Sequence, residues 1–199
     1  MALSSIEAIV IGGSAGTVEA LVTILPALPA GFSIPIALVV HISPAGPSLL
    51  PDVLASRCAL VVKEAEDKEP IAPHTVYVAP PNYHLLVEKE RCFSLSVDDP
   101  VQFSRPAIDV LFESAADAYG AALVGVLLTG ANEDGARGLA RIGRAGGTTL
   151  VQSPATAPAP TMPEAALRLW HDHRVLSPAE IGSFLAGLDA NGTTTELRT

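Results

Sequence analysis

The stretch from residue 7 to residue 21, EAIVIGGSAGTVEAL, decides the fold of this chain. Its apolar run at residues 8–11 predicts a strand, the glycine-rich turn at residues 12–16 ends that strand, and helix-compatible residues follow. The turn also fits the pattern G-x-S-x-G, in which a serine, here Ser14, stands on a sharp strand-to-helix turn with its hydroxyl exposed. A loop that caps the helix, or that binds phosphate at the helix N-terminus, fits the same five residues equally well.

The composition is that of one soluble globular domain with a sizeable core, because 49% of the 199 residues are apolar. The apolar runs are strand-sized and fall short of the roughly 20 residues of a membrane-spanning helix. The N-terminus lacks the basic region and cleavage site of a signal peptide, so we expect a cytoplasmic protein without membrane insertion. A net charge of −9 with no cluster of Lys and Arg argues against a nucleic-acid partner.

Helical and strand patterns alternate along the rest of the chain. Strands are predicted at residues 35–40, 59–63, 75–79, 121–128 and 148–152. Helices are predicted at residues 17–28, 48–56 and 107–119, from the loop at 129–135 to about 144, and at 164–170 and 178–188. Residues 84–88 and 92–97 read as a β-hairpin set into this alternation. Repeated β-α units predict an α/β fold, a three-layer α/β/α doubly wound domain with a mostly parallel sheet and a β-hairpin insertion.

This pattern predicts one domain over residues 1–188 and a disordered tail over residues 189–199. Residues 153–163, SPATAPAPTMP, are too rich in Pro for a helix interior and predict a surface loop, of a length that is often functional.

Several other polar residues are assigned structural roles. Asp109 is expected to support the N-terminal end of its own helix, and His84 to be a partly buried, hydrogen-bonded strand residue. His171 and His173 flank Asp172 without a third partner, so a polar turn is favoured over a metal site. Cys58 and Cys92 have no metal-ligand spacing and are expected to be packing residues.

Three chemically reactive residues each follow the predicted carboxyl end of a strand: Ser14, His41 and Asp134. Singly, His41 is best explained as a satisfied turn or core histidine, and Asp134 as a helix cap. Doubly wound sheets, however, bind ligands beyond the carboxyl ends of their strands, and an activated serine needs a base and a carboxylate that orients this base. Their joint placement therefore favours a catalytic triad.

Several segments, in this order, resemble the chemotaxis protein-glutamate methylesterases of the CheB type. They are GGSAG (12–16), VHISP (40–44), YVAPPNYHLLV (77–87), RPAIDVLFESAA (105–116), LLTGANEDGARGL (127–139) and MPEAA (162–166). The resemblance extends from about Ile6 to Leu188. It assigns the nucleophile to Ser14, the base to His41 and the acidic member to Asp134, the residues that the strand ends also select.

The resemblance implies a serine esterase that hydrolyses glutamate methyl esters on chemoreceptor-type signalling proteins and releases methanol, with glutamine deamidation as a further activity. Backbone N–H groups near Ala15 and Ala131 would stabilise the oxyanion. No metal or organic cofactor is required. The implied partners are a methylated chemoreceptor or a similar signalling protein, together with a separate response regulator or methyltransferase.

The chain departs from the family pattern at three positions. Ala15 stands where the family usually has Thr, Ala131 where it has Met, and Gln152-Ser153 where it has Gln-Asp. The typical enzyme also carries an N-terminal receiver domain, for which this chain has no room before its first strand. We therefore expect a free-standing esterase controlled in trans, or a catalytic domain from a longer protein. The alternative from another functional class is a non-catalytic CheB-like binding module in a signalling complex.

Overall fold

The structure is a computed structural model that describes residues 5–41 and 48–190 of the chain. Residues 42–47, which include the end of the VHISP segment, lie outside the described residues, as do residues 191–199 of the predicted tail. Residues 189 and 190 belong to the last helix, which spans Pro178–Ala190.

A parallel sheet of seven strands forms the centre of the described part of the chain. Its strands are β1 (Ala8–Gly13), β2 (Ile36–Val40), β3 (Val61–Glu64), β4 (Thr75–Val78), β7 (Leu123–Leu127), β8 (Thr148–Gln152) and β9 (Arg174–Leu176). The order across the sheet is β3-β4-β2-β1-β7-β8-β9. The chain thus builds outward from β1 in one direction and then in the other, as in doubly wound sheets.

Helices cover both faces of the sheet and produce three layers. They are α1 (Thr17–Ile24), α2 (Leu50–Ala55), α3 (Ile108–Tyr119), α4 (Ala136–Arg144), α5 (Thr161–Leu169) and α6 (Pro178–Ala190). Side chains of β1 alternate between two cores, because successive strand residues point to opposite faces. Val10 packs in the core beneath α3 and α4, whereas Ile9 and Ile11 pack in the core beneath α1 and α6.

The predicted β-hairpin forms a separate antiparallel pair, β5 (His84–Val87) and β6 (Phe93–Ser96). It packs against α3 through β5, so it lies on the helix that begins near the proposed site. The prediction of an α/β fold with a mostly parallel sheet and an inserted hairpin is confirmed.

Near the C-terminal end, one predicted boundary was wrong and one strand was not predicted. Helix α5 begins at Thr161, inside the loop predicted at residues 153–163, and it carries Pro163 in its first turn, where the missing N–H of a proline has no cost. The predicted polar turn at residues 171–173 is followed by strand β9, which was not predicted and which pairs with β8 at the sheet edge. Only three residues long, β9 has no period that a sequence pattern could reveal.

None of the helices within the described residues is long and apolar enough to cross a membrane.

Candidate active site

Ser14 lies at the carboxyl end of β1, in a turn held by backbone hydrogen bonds. Its N–H donates to Thr129 O at 2.9 Å, and its own carbonyl accepts the Thr17 N–H at 3.1 Å. Gly16 has a φ of 83°, a left-handed conformation that suits glycine, and it leads directly into α1. Gly13 has no room for a side chain, since a Cβ there would lie 2.2 Å from Thr17 Oγ1. Two of the glycines around Ser14 are therefore required by the shape of the turn itself.

His41 follows β2, the strand that pairs with β1. Gly13 is paired with Val40, and the His41 N–H donates to Gly13 O at 3.1 Å, so the two strands leave the sheet side by side. Neighbouring strands lie about 4.8 Å apart, which brings the main chains of Ser14 and His41 close together. The His41 side chain is 13% exposed and therefore reachable from the surface.

Asp134 lies beyond the end of β7 and is completely buried. Its Oδ2 lies 2.8 Å from His41 Nε2 and accepts the Ile108 N–H at 2.7 Å, while its Oδ1 accepts the Asp109 N–H at 3.0 Å. Because these two amides form the first turn of α3, the carboxylate lies at the positive end of a helix dipole. Asp134 is thus a cap, but of α3 rather than of the helix that follows it, and it also contacts the histidine.

The order of the strands explains why Asp134 meets the distal nitrogen of the His41 ring. β1 adjoins β2, whereas β7 is two strands away from β2, about 10 Å across the sheet. The distal nitrogen of His41, Nε2, reaches Asp134 across this gap. Ser14 follows the neighbouring strand β1, and among the described residues no hydrogen bond joins its hydroxyl to the His41 ring.

Both residues predicted to contribute oxyanion donors, Ala15 and Ala131, are exposed at the same edge of the sheet. Among the described residues, no acceptor takes a hydrogen bond from the N–H of either one. These two amides can therefore donate to a bound group.

Sequence reasoning missed Thr129, which connects the loops around Ser14. The Thr129 carbonyl accepts bonds from Ser14 N–H and from Thr17 Oγ1, the latter at 3.0 Å. Its hydroxyl lies 3.0 Å from Ala15 O and accepts the Ala159 N–H at 3.0 Å. Thr129 is fully buried, and its position just past β7 was the one signal in the sequence that pointed to it.

Gln152 at the end of β8 supports Thr129 in turn. Its Oε1 accepts the Thr129 N–H at 2.9 Å, and its Nε2 donates to Thr156 O at 3.1 Å, in the segment at residues 153–163. The amide therefore fixes the path of two loops at once and is itself 1% exposed. These two hydrogen bonds give Gln152 a structural role, whereas the neighbouring Ser153 is only partly buried.

Asp109 is the acidic residue in the first turn of α3, as expected, but its carboxylate also bonds to a second helix. It is buried, and its Oδ1 accepts the Gly138 N–H of α4 at 2.8 Å, while Arg137 Nε lies 3.6 Å from Oδ2. Burial raises the pKa of Asp109 to about 6; the hydrogen bond from Gly138 opposes this shift and the nearby charge of Asp134 adds to it. The carboxylate joins α3 to α4, a long-range contact that local spacing does not reveal.

His84 has the structural role predicted for it. Its Nδ1 accepts the Ala107 N–H at 3.2 Å, which makes Nε2 the protonated nitrogen, and Nε2 donates to Asp99 O at 3.2 Å. His173 is buried against Thr149 Oγ1 at 2.8 Å. Among residues 5–41 and 48–190 there is no cluster of His, Cys, Asp and Glu that could hold a metal ion.

A pocket of about 230 Å³ opens beside His41 and is also lined by Asn82, Arg105 and Pro106. The residues predicted for the site therefore lie at one edge of the sheet, and His41 among them borders this cavity. Such an edge, with a serine, an oriented histidine and free amides, is suited to acyl transfer.

Known proteins are similar to this chain in sequence and in fold. Residues 9–185 match the family model described as CheB methylesterase. A protein of Leptospira interrogans, provisionally named protein-glutamate methylesterase/protein-glutamine glutaminase, is 50% identical over 185 residues, which cover 93% of this chain and 96% of that protein. The protein-glutamate methylesterase FrzG of Myxococcus xanthus is 38% identical over 89% of this chain, which spans 53% of FrzG.

Among solved structures, the CheB methylesterase catalytic domain of Thermotoga maritima superposes on this chain with a TM-score of 0.87. The two are 34% identical, and the match covers 92% of this chain and 99% of that domain. The similarity therefore includes the whole architecture as well as the sequence.

Proposed function

Because this chain belongs to the CheB methylesterase family, we propose that it hydrolyses glutamate methyl esters on chemoreceptor-type signalling proteins and releases methanol. Membership in this hydrolase family favours the esterase over the non-catalytic binding module. The names of the relatives also support glutamine deamidation as a second activity of the same site. An ester and a primary amide pass through similar tetrahedral intermediates, so one set of groups serves both.

The observation that carries this proposal is the His41–Asp134 contact of 2.8 Å, supported by two N–H groups of α3. Ser14 Oγ attacks the ester carbonyl while His41 Nδ1 takes its proton. His41 then returns the proton to departing methanol, and a water molecule hydrolyses the acyl-enzyme by the same route. Asp134 holds the proton on Nε2 and stabilises the imidazolium that forms during both steps.

The Ala15 and Ala131 N–H groups stabilise the oxyanion of the tetrahedral intermediate. Each donor of this kind contributes about 3 kcal/mol in comparable hydrolases. The family's usual Thr and Met side chains are missing at these two positions, but a backbone donor does not depend on the side chain. We therefore expect the departures to affect the choice of substrate more than the chemical step.

The substrate is a methylated helix of a chemoreceptor or of a similar signalling protein, and a separate response regulator or methyltransferase is a further partner. We place this reaction in the cytoplasm. The net charge of −9 disfavours a strongly acidic partner surface and any nucleic acid.

The test measures methanol released from a methylated receptor fragment by the wild type and by Ser14→Ala, with thermal unfolding of both proteins. Ser14→Ala is expected to abolish release and to change the unfolding temperature little, because Ser14 is a partly exposed turn residue. A serine-directed phosphonate should label the wild type at Ser14 and leave the variant unlabelled. Wild-type protein that releases no methanol and resists the phosphonate would support the binding module instead.

A further inference from the structure

A tight turn beside the site carries an aromatic residue at its tip. Val101 and Ser104 exchange two backbone hydrogen bonds, of 3.1 and 2.9 Å, around Gln102 and Phe103. Both inner residues have positive φ, 49° for Gln102 and 64° for Phe103. Asn and Gly are the residues that accept such a turn at little cost, so a phenylalanine here is conformationally unfavourable.

Neighbouring contacts fix the base of this turn. Arg105 Nη1 donates to Val97 O at 2.8 Å and to Asp98 O at 3.1 Å. On the other side, Gln102 Nε2 lies 3.4 Å from Asp109 Oδ2. These contacts therefore fix the backbone that carries the Phe103 side chain.

The phenyl ring of Phe103 is fully exposed, at 103% of its reference area. Full burial of a phenylalanine side chain is worth about 2 to 3 kcal/mol, so exposing it forgoes a large stabilisation in addition to the cost of the turn. The same turn lines the pocket of about 230 Å³ that opens beside His41. An unfavourable residue that is held in place next to the proposed base is best explained by what it binds.

We propose that Phe103 is a specificity-determining residue that packs on an apolar side chain of the substrate helix, about one helical turn from the reactive glutamate ester. The inference rests on the proposed function. A helix with its side chains is about 10 Å wide, too wide for this pocket, so it must lie across the opening and insert only the ester. Substrate side chains three or four positions from the esterified glutamate then face the rim of the pocket, where Phe103 lies.

A rigid aromatic residue suits this task because it loses little conformational entropy on binding. The contact also discriminates between substrates. An apolar substrate side chain is stabilised by burial against the phenyl ring, whereas a charged side chain at the same position loses part of its hydration. Phe103 thus favours methylation sites on helices whose adjacent face is apolar.

The experiment compares two substrates, a methylated helical receptor fragment and the small ester p-nitrophenyl acetate, in each variant. For Phe103→Ala, the ratio of kcat/KM on the fragment to kcat/KM on the small ester is expected to fall at least about tenfold, mainly through KM. Phe103→Gly should behave alike, since glycine keeps the positive φ and removes only the ring. Phe103→Leu should restore much of the ratio.

Val61→Ala is the matched control, because Val61 is 61% exposed and begins β3, so it lies at the amino end of the sheet, away from the site. Its ratio should equal that of the wild type. A ratio within about twofold of the wild type in Phe103→Ala would overturn the inference, and so would an equal loss on both substrates, which would assign Phe103 to the catalytic geometry. Wild-type protein that cleaves neither substrate would overturn the proposed function itself, and this inference with it.

Discussion

Two regions with acidic and basic side chains adjoin α3, one at its N-terminal end and one on its outer face. They differ in whether their charged groups are buried and hydrogen-bonded or exposed to solvent. At the carboxyl edge of the sheet, Asp134 is completely buried and accepts bonds from His41 and from two backbone amides. On the outer face of α3 and α4, Arg137 pairs with Glu113 at 3.0 Å, and Arg141 pairs with Asp117 in an exposed groove.

The comparison shows that cavity size and number of charges are poor guides to the site. The outer groove has a volume of about 500 Å³, more than twice the pocket of about 230 Å³ beside His41. Its charges, however, are paired in solvent, where ion pairs contribute roughly 0 to 1 kcal/mol. A buried carboxylate with a full set of donors has its orientation fixed, and a histidine that acts as a base needs a partner of fixed orientation.

The sharpest test of the buried region is Asp134→Asn, which preserves shape and removes the charge. The amide group favours the wrong imidazole tautomer, so turnover of methylated receptor fragment is expected to fall about 10⁴-fold, as in comparable triads. Stopped assays of methanol release measure this change. The double variant with His41→Ala should be scarcely worse than His41→Ala alone, because triad members act as a unit. Additive losses would argue against the triad.

Asp134→Ala removes the hydrogen-bond acceptor as well as the charge. The amides of Ile108 and Asp109 then lack a partner in a buried place, and the expected loss is about 3 kcal/mol in the free energy of unfolding. Urea denaturation measures it. A loss below about 1 kcal/mol would mean that α3 does not depend on this carboxylate for its N-terminal cap.

Asp109 lies between the two regions, and its raised pKa predicts that its contribution to stability changes with pH in the opposite direction to that of most carboxylates. Its pKa is raised to about 6 from an ordinary value of 3.8, so the folded protein takes up this proton first as pH falls. The Asp109 contribution to stability therefore increases as pH falls from about 7 to about 4, by up to about 3 kcal/mol. Asp109→Asn should remove this pH dependence.

The measurement is the free energy of unfolding of the wild type and of Asp109→Asn at a series of pH values. Relative to the wild type, the free energy of unfolding of the variant should be highest near pH 7, where the wild-type carboxylate is buried and charged. This difference should shrink toward pH 4. A difference that is constant across this range would show that Asp109 titrates normally in the folded state.

The outer groove should show the smallest effects. Asp117→Asn breaks an ion pair with Arg141 in which both side chains are about half exposed, so we expect only a small change in the free energy of unfolding, and one that vanishes at high salt. Methanol release should match that of the wild type. A large loss of activity in this variant would mean that the outer groove, rather than the sheet edge, binds substrate.

Local patterns in the sequence predicted the central strands well, because apolar runs such as residues 35–40 are buried on both faces and bounded by turn residues. They also placed Ser14, His41 and Asp134 at one edge, since carboxyl ends of parallel strands share an edge. Contacts between distant segments were not predictable. Asp109 accepts from Gly138, 29 positions away, and Thr129 contacts Ala15 across 114 positions. Neither pairing has a local signature.

Thr129 has a consequence for how this protein can evolve. Around Ser14 it contacts main-chain atoms of Ala15 and Ala159, together with the Thr17 hydroxyl. Main-chain atoms are the same in nearly every amino acid, so mutations can accumulate in the side chains of those segments without displacing Ser14. A lineage can therefore exchange the side chains around this turn while the main chain that positions Ser14 stays unchanged.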